Sequence, residues 1–359
     1  MTIPVTKTYL PPMEEFQQYI QRIWATSVVT NHGPFERELQ EKLRTALGVP
    51  YFELVANGTV ALQVAMKALD LSGEIITTPF SYVATTTSIL WERCKPVFVD
   101  ITSETFCIDP AKIEAAITKR TSAIVATHVY GYPCDVARIA EIAARHRLKV
   151  IYDGAHAFGS RLNDRSLLSY GDLTTVSFHA TKSFHTIEGG GVAAHTSDLA
   201  EKLFLYKSFG HIGDDYLTLG INGKLSELHA AMGLCNLPRV AELITQRRKL
   251  SELYDERLAG LSLQFPQLPT GAESNYSYYP VVFSSESRML RVRRALAERG
   301  IQARRYFFPS LNTLPYVKGA SCPISESVAA RVLCLPLYHE LPCDDVVRIA
   351  TIVQDECRR

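Results

Sequence analysis

Between residues 74 and 195 the chain repeatedly changes period, and this alternation limits the possible folds more than any other feature. Short runs rich in β-branched residues occur at Glu74–Thr78, Pro96–Asp100, Ala123–Thr127, Lys149–Asp153, Thr174–Phe178 and Gly191–His195. They are mostly apolar rather than alternating, the pattern of strands covered on both faces. Amphipathic stretches lie between them; in Asp135–Arg147, Val136, Ile139, Ala140 and Ala143 recur at helical spacing. Strand–helix–strand alternation predicts an α/β fold, a mainly parallel sheet with helices on both sides. Ligands of such sheets collect at the carboxyl ends of the strands, so functional residues are expected just after the runs.

The chain has 359 residues, enough for more than this sheet. A helical pattern from Arg239 to about Leu258 reads as a connector. Beyond it the sequence predicts a strand at Tyr278–Phe283, a helix at Glu286–Arg299, a strand near Ile301–Arg304, and helices around Ser325–Val332 and Asp344–Glu356. That is a smaller α+β unit. The expected division is 1–240 for the large unit, with an N-terminal helical segment, and 241–359 for the small one.

Charge narrows the partners. Lys and Arg number 38 against 37 Asp and Glu, a net charge of +1, which argues against a basic nucleic-acid surface. No apolar signal core precedes Pro11 and Pro12, and no run approaches the ~20 residues of a membrane helix. A soluble, cytoplasmic protein is expected. Its eight cysteines are scattered without a Cys-x-x-Cys pair, so a disulfide framework is not expected, and without His-Glu-x-x-His neither is a zinc hydrolase.

Four segments carry chemical content. Asn57-Gly58-Thr59 opens a helix, where free N–H groups and a hydroxyl make an anion cradle or an ordinary cap. Asp153 ends an apolar strand, where an aspartate needs a cationic partner or a cap role, and His156 follows three residues later. Lys182 leaves the strand ending near Phe178 and enters a loop that closes on three glycines, Gly189–Gly191. Desolvated, such a lysine loses its proton and becomes a nucleophile. Asn222 lies in the turn before a helix beginning near Leu225. Each segment alone also has a plain structural reading, as a cap, a turn or a solvated charge. Together, an anion cradle, a carboxylate and an amine are what pyridoxal 5′-phosphate (PLP) requires: a phosphate site, a counter-charge for its ring nitrogen and a partner for its aldehyde.

At this point the sequence resembles the DegT/DnrJ/EryC1/StrS family of nucleotide-sugar aminotransferases. The match is carried by Ala56-Asn-Gly-Thr59, Thr77-Thr-Pro-Phe-Ser-Tyr-Val-Ala-Thr85, Lys95-Pro-Val-Phe-Val-Asp100 and Ser177-Phe-His-Ala-Thr-Lys182, and runs from Thr30 to Tyr338. The resemblance implies the type I, aspartate-aminotransferase-like fold and PLP as cofactor, with pyridoxamine phosphate carrying the amino group between half-reactions. It implies that Lys182 holds PLP covalently and shuttles the proton, that Asp153 pairs with the ring nitrogen, and that His156 lies near the ring. It further implies that Tyr82 stacks on the cofactor face, that Gly58, Thr59 and Ser177 contact the phosphate, and that Asn222 reaches the phosphate of a neighbouring subunit. A homodimer with shared sites follows from that last point. Within the family the likeness is greatest to the branch making dTDP-4-amino-4,6-dideoxy-D-glucose from L-glutamate and a nucleotide-linked 4-keto-6-deoxy sugar, for O-antigen or related glycans. Arg304, Arg305 and Lys207 are the candidate cations for the nucleotide diphosphate. One departure is Ser183, where many relatives have asparagine after the lysine. A 3-keto sugar, another nucleotide or the 4-amino galactose epimer remain open, as does a non-catalytic member of the fold. A nicotinamide-dependent oxidoreductase would need a Gly-x-Gly-x-x-Gly turn, which the chain lacks.

Overall fold

The computed structural model describes residues 2–317 and 319–358. Seven strands form its main sheet: β1 (Tyr51–Val55), β2 (Glu74–Thr77), β3 (Lys95–Phe98), β4 (Thr121–Thr127), β5 (Lys149–Asp153), β6 (Leu173–Ser177) and β7 (Gly190–Ala194). Their order is β1-β7-β6-β5-β4-β2-β3. Five neighbours, from β6 to β3, run parallel, and β7 lies antiparallel between β1 and β6. All six expected runs are strands, Lys149–Asp153 at its expected bounds and the other five within two residues of theirs. β1 was not expected.

The glycine run has a packing reason. A side chain at Gly190 would come within 2.7 Å of the Val176 carbonyl oxygen, and one at Gly191 within 2.3 Å of the Phe52 ring. Only glycine lets β7 fit between its neighbours with Phe52 lying over it. Helices cover both faces of the sheet. Gly58–Ala68 packs beside Val55, Ile75, Val125 and Ile151 in one apolar cluster, and Val136–His146 contributes to another with Ile124, Val150 and Tyr152. Among the described residues no helix is long and apolar enough to cross a membrane. All eight cysteines are free thiols, six of them buried.

The long helix Val240–Leu258 leads to a two-stranded antiparallel pair, Tyr279–Val282 with Val332–Leu335. The second of these strands was not expected. The expected strand near 301–304 is reduced to single bridges, Ile301 to Ile3 and Arg304 to Cys334. Helices Glu286–Ala297 and Cys343–Arg358 pack on the pair through Met289, Val292, Ile349 and Val353, and Ile3 joins the same cluster. Two contacts are among those that tie this region to the main sheet. Asp100, just past β3, accepts hydrogen bonds from the Ile324 and Ser325 N–H groups at the start of helix Pro323–Arg331. The Tyr130 hydroxyl donates to the Tyr306 carbonyl. The second contact places Tyr306 and Phe307 over the carboxyl edge of the sheet.

Candidate functional site

That edge holds a cavity of about 540 Å³, within the size range of small-molecule sites. Gly58, Thr59, Tyr82, Asp153, His156, Ser177 and Lys182 all line it. The sequence scattered them over 125 positions; the sheet gathers them because each follows a strand on the same edge.

The cradle comes from β1 and the helix after it. Asn57 caps helix Gly58–Ala68 by accepting from the Val60 N–H at 2.9 Å, leaving the Gly58 and Thr59 end facing the cavity. A side chain on Gly58 would meet Ser177 Cβ at 2.8 Å, so glycine here keeps the helix start against the end of β6. Free N–H groups of a helix start and the hydroxyls of Thr59 and Ser177 suit a phosphate.

Asp153 ends β5 and is 4% exposed. One carboxylate oxygen accepts from Thr85 Oγ1 at 2.6 Å and the other from the Ala155 N–H at 3.0 Å. Burial pushes its pKa up, against the pull of these two donors and of the Lys182 charge. Lys182 Nζ lies 3.5 Å from the Tyr278 hydroxyl. Burial lowers the lysine pKa to about 8, the Asp153 charge acting in the other direction. His156 is pushed well down by burial and by Lys182, and is therefore neutral. Its ring stacks on Phe307, 5.1 Å between centroids, and Nδ1 is buried without a hydrogen-bond partner. Tyr82, at the start of helix Val83–Trp91, keeps 55% of its surface open on the cavity side of the helix.

The expected cations divide. Arg304 lines the cavity, its guanidinium 4.8 Å from the Tyr306 ring. Arg305 does not: it pairs with Glu286 at 2.8 Å and donates to the Ala330 carbonyl at 2.9 Å. Lys207 is also a correction. It is 1% exposed and held between Glu53 at 2.9 Å and Glu36 at 3.3 Å, with a bond to the Leu54 carbonyl, so its charge is spent inside the fold. Asn222 lies outside this cavity, exposed, with its side chain accepting from Lys224 Nζ at 2.8 Å. Sequence reasoning missed Thr85 as a partner of Asp153, and Tyr278, Tyr306 and Phe307 as walls. Thr85 stood in the sequence only as the end of a family motif and Tyr278 as the start of a strand, while Tyr306 and Phe307 gave no signal.

A flat, phosphate-bearing heteroaromatic aldehyde answers each of these groups at once. It supplies an anion for the cradle, a protonated ring nitrogen for Asp153, a polar neighbour for His156 and a carbonyl for an amine of low basicity. The residues present fit PLP, and fold and site together define a PLP-dependent aminotransferase of the type I fold. The chain belongs to the DegT/DnrJ/EryC1/StrS aminotransferase family, whose profile matches residues 12–354. It is 42% identical to the dTDP-4-amino-4,6-dideoxy-D-glucose transaminase of Shigella dysenteriae and 40% identical to that of Escherichia coli, in each case over 98% of both chains. Among solved structures it is similar to DesI, crystallised in the presence of its TDP-sugar product, with a TM-score of 0.95 and 31% identity over 99% of this chain and 93% of that one. Helicobacter pylori PseC, an aminotransferase of pseudoaminic acid biosynthesis, gives 0.92 and 25% identity over the full length of both.

The lowered basicity of Lys182 predicts a pH dependence. The neutral amine is the nucleophile, so the rate at which cofactor-free protein captures added PLP rises with pH and levels off above about 8. Stopped-flow absorbance reads this directly. A rate still climbing steeply toward pH ~10 means an amine of ordinary basicity.

Proposed function

We propose that this protein transfers the amino group of L-glutamate to C4 of dTDP-4-keto-6-deoxy-D-glucose, giving dTDP-4-amino-4,6-dideoxy-D-glucose and 2-oxoglutarate. The observation that carries the reading is the convergence of Lys182, Asp153 and the Gly58–Thr59 cradle on one cavity, in a chain 42% identical to a transaminase of that product. When bound, PLP supplies an electron sink for the charge that develops at the substrate carbon. Lys182 would move a proton between substrate carbon and cofactor in each half-reaction, taking one from glutamate in the first and delivering one to the sugar in the second. Asp153 holds the proton on the ring nitrogen, and Gly58, Thr59 and Ser177 anchor the phosphate. His156 and Tyr82, both lining the cavity, would help to orient the ring. Arg304, at the cavity wall, is the cation in reach of the nucleotide diphosphate.

The reading includes a cytoplasmic homodimer in which Asn222 of each subunit completes the phosphate site of the other. Its exposed position beyond the cavity of its own chain supports that arrangement. The aminosugar product is then used in O-antigen or related surface-glycan synthesis. Incubation with L-glutamate and a panel of nucleotide-linked 4-keto and 3-keto sugars, with products identified by NMR, tests the reading. The expected product carries an equatorial C4 amine on a dTDP-linked glucose ring. Turnover confined to a 3-keto sugar, or to another nucleotide, overturns the substrate assignment.

A further inference from the structure

Behind Asp153 runs a file of hydroxyls. Thr127 Oγ1 donates to Ser81 Oγ at 3.1 Å, the hydroxyls of Ser81 and Thr85 are 2.8 Å apart, and Thr85 Oγ1 donates to Asp153 Oδ2 at 2.6 Å. Ser81 is 1% exposed and both threonines are fully buried. They come from three elements: the end of β4, the loop after β2 and helix Val83–Trp91. An ionised carboxylate only accepts hydrogen bonds, so it commits the single proton of Thr85. Thr85 oxygen is then left to accept from Ser81, and Ser81 from Thr127, so every proton in the file points toward Asp153. Each bond polarises the next in a dry interior. The usual fate of a helical threonine is different. Thr87, in the same helix, turns its hydroxyl back to the Val83 carbonyl at 3.0 Å.

We propose that Thr85, backed by Ser81 and Thr127, is a positioning residue for amino transfer, keeping Asp153 ionised and oriented toward the ring nitrogen of the cofactor. The inference rests on the role given to Asp153 above. Burial alone opposes a charged carboxylate at this place, and among the described residues the Ala155 N–H is the one other donor to it. The hydroxyl file is the remaining fixed source of stabilisation from outside the cavity.

The test uses the PLP-loaded enzyme and three variants, Thr85→Val, Thr85→Ser and Ser81→Ala. Thr85→Val keeps the shape of the side chain and removes the proton. Loss of a charge-assisted hydrogen bond predicts a fall in kcat of about 10- to 100-fold, with KM for both substrates within about threefold. NMR of enzyme loaded with isotopically labelled cofactor provides a readout independent of turnover: in Thr85→Val the ring-nitrogen signal moves toward the neutral position. Thr85→Ser restores both the signal and kcat. Ser81→Ala, one step further back, moves the signal the same way with a loss of about two- to fivefold. A folded Thr85→Val with unchanged signal and kcat overturns the proposal, as does failure of serine to rescue. Should the valine variant not fold, Ser81→Ala decides, an unmoved signal overturning it. Asp153→Ala is measured in parallel: if it stays active, the role of Asp153 fails, whereas an inactive Asp153→Ala beside an unaffected Thr85→Val removes only the hydroxyl file.

Discussion

Replacing Lys182 with alanine removes amino transfer, turnover falling about ten-thousandfold with both substrates saturating. One side chain is assigned two tasks. In the proposed mechanism it is the amine that meets the cofactor aldehyde and the base that moves a proton at the substrate carbon. Two titratable neighbours of Lys182 are unsuited to the second task. His156 is pushed well below neutrality and stacked on Phe307, while burial pushes the Tyr278 hydroxyl far up. Loss of proton transfer alone costs up to about 10⁴-fold. Binding of the cofactor survives, because Gly58, Thr59, Ser177 and Asp153 are untouched. Equilibrium dialysis of the variant against PLP therefore finds it occupied, and borohydride fixes the label in the parent enzyme and not in the variant. Mass spectrometry that finds the label on another residue of the parent, or turnover by the variant at near-parental rates, refutes the assignment.

The elements legible in the sequence were those whose physics is local. A strand buried on both faces leaves an uninterrupted apolar run, so β2 to β7 were read within two residues of their ends. β1 was not, because Tyr51 and Glu53 break its run, and the reason for Glu53 lies in Lys207, 154 positions away. Lys207 itself shows the limit from the other side. Its sequence neighbourhood advertises a charge and hides the two carboxylates that neutralise it, so it resembled a ligand for phosphate. Arg305 misled in the same way. Arg304, adjacent to it, faces the cavity; a one-residue difference in direction decides which of two adjacent arginines meets solvent and ligand. Asp153 and Lys182 were found because strand ends on a parallel sheet share an edge, which is a property of topology and not of side-chain detail. Thr85, by contrast, matters through a hydroxyl proton directed at a residue 68 positions on, and no periodicity carries that information.

Replacing Asp153 with alanine lowers turnover about a thousandfold while leaving the fold intact. The two halves of this expectation have one cause. The carboxylate is 4% exposed, and burial holds its pKa above the usual range. A folded-state pKa raised above the unfolded value means that the ionised group costs stability at neutral pH, so its removal relieves strain rather than adding it. The melting temperature should therefore stay within a few degrees of the parent. Turnover is expected to behave oppositely, because in the proposed mechanism the same charge would keep a proton on the ring nitrogen of the cofactor. Asp153→Asn separates charge from shape. It preserves volume and still accepts from Thr85, yet cannot balance a cation, and should be nearly as inactive as alanine. An asparagine variant working at near-parental rates would mean that packing, and not counter-charge, is what position 153 supplies.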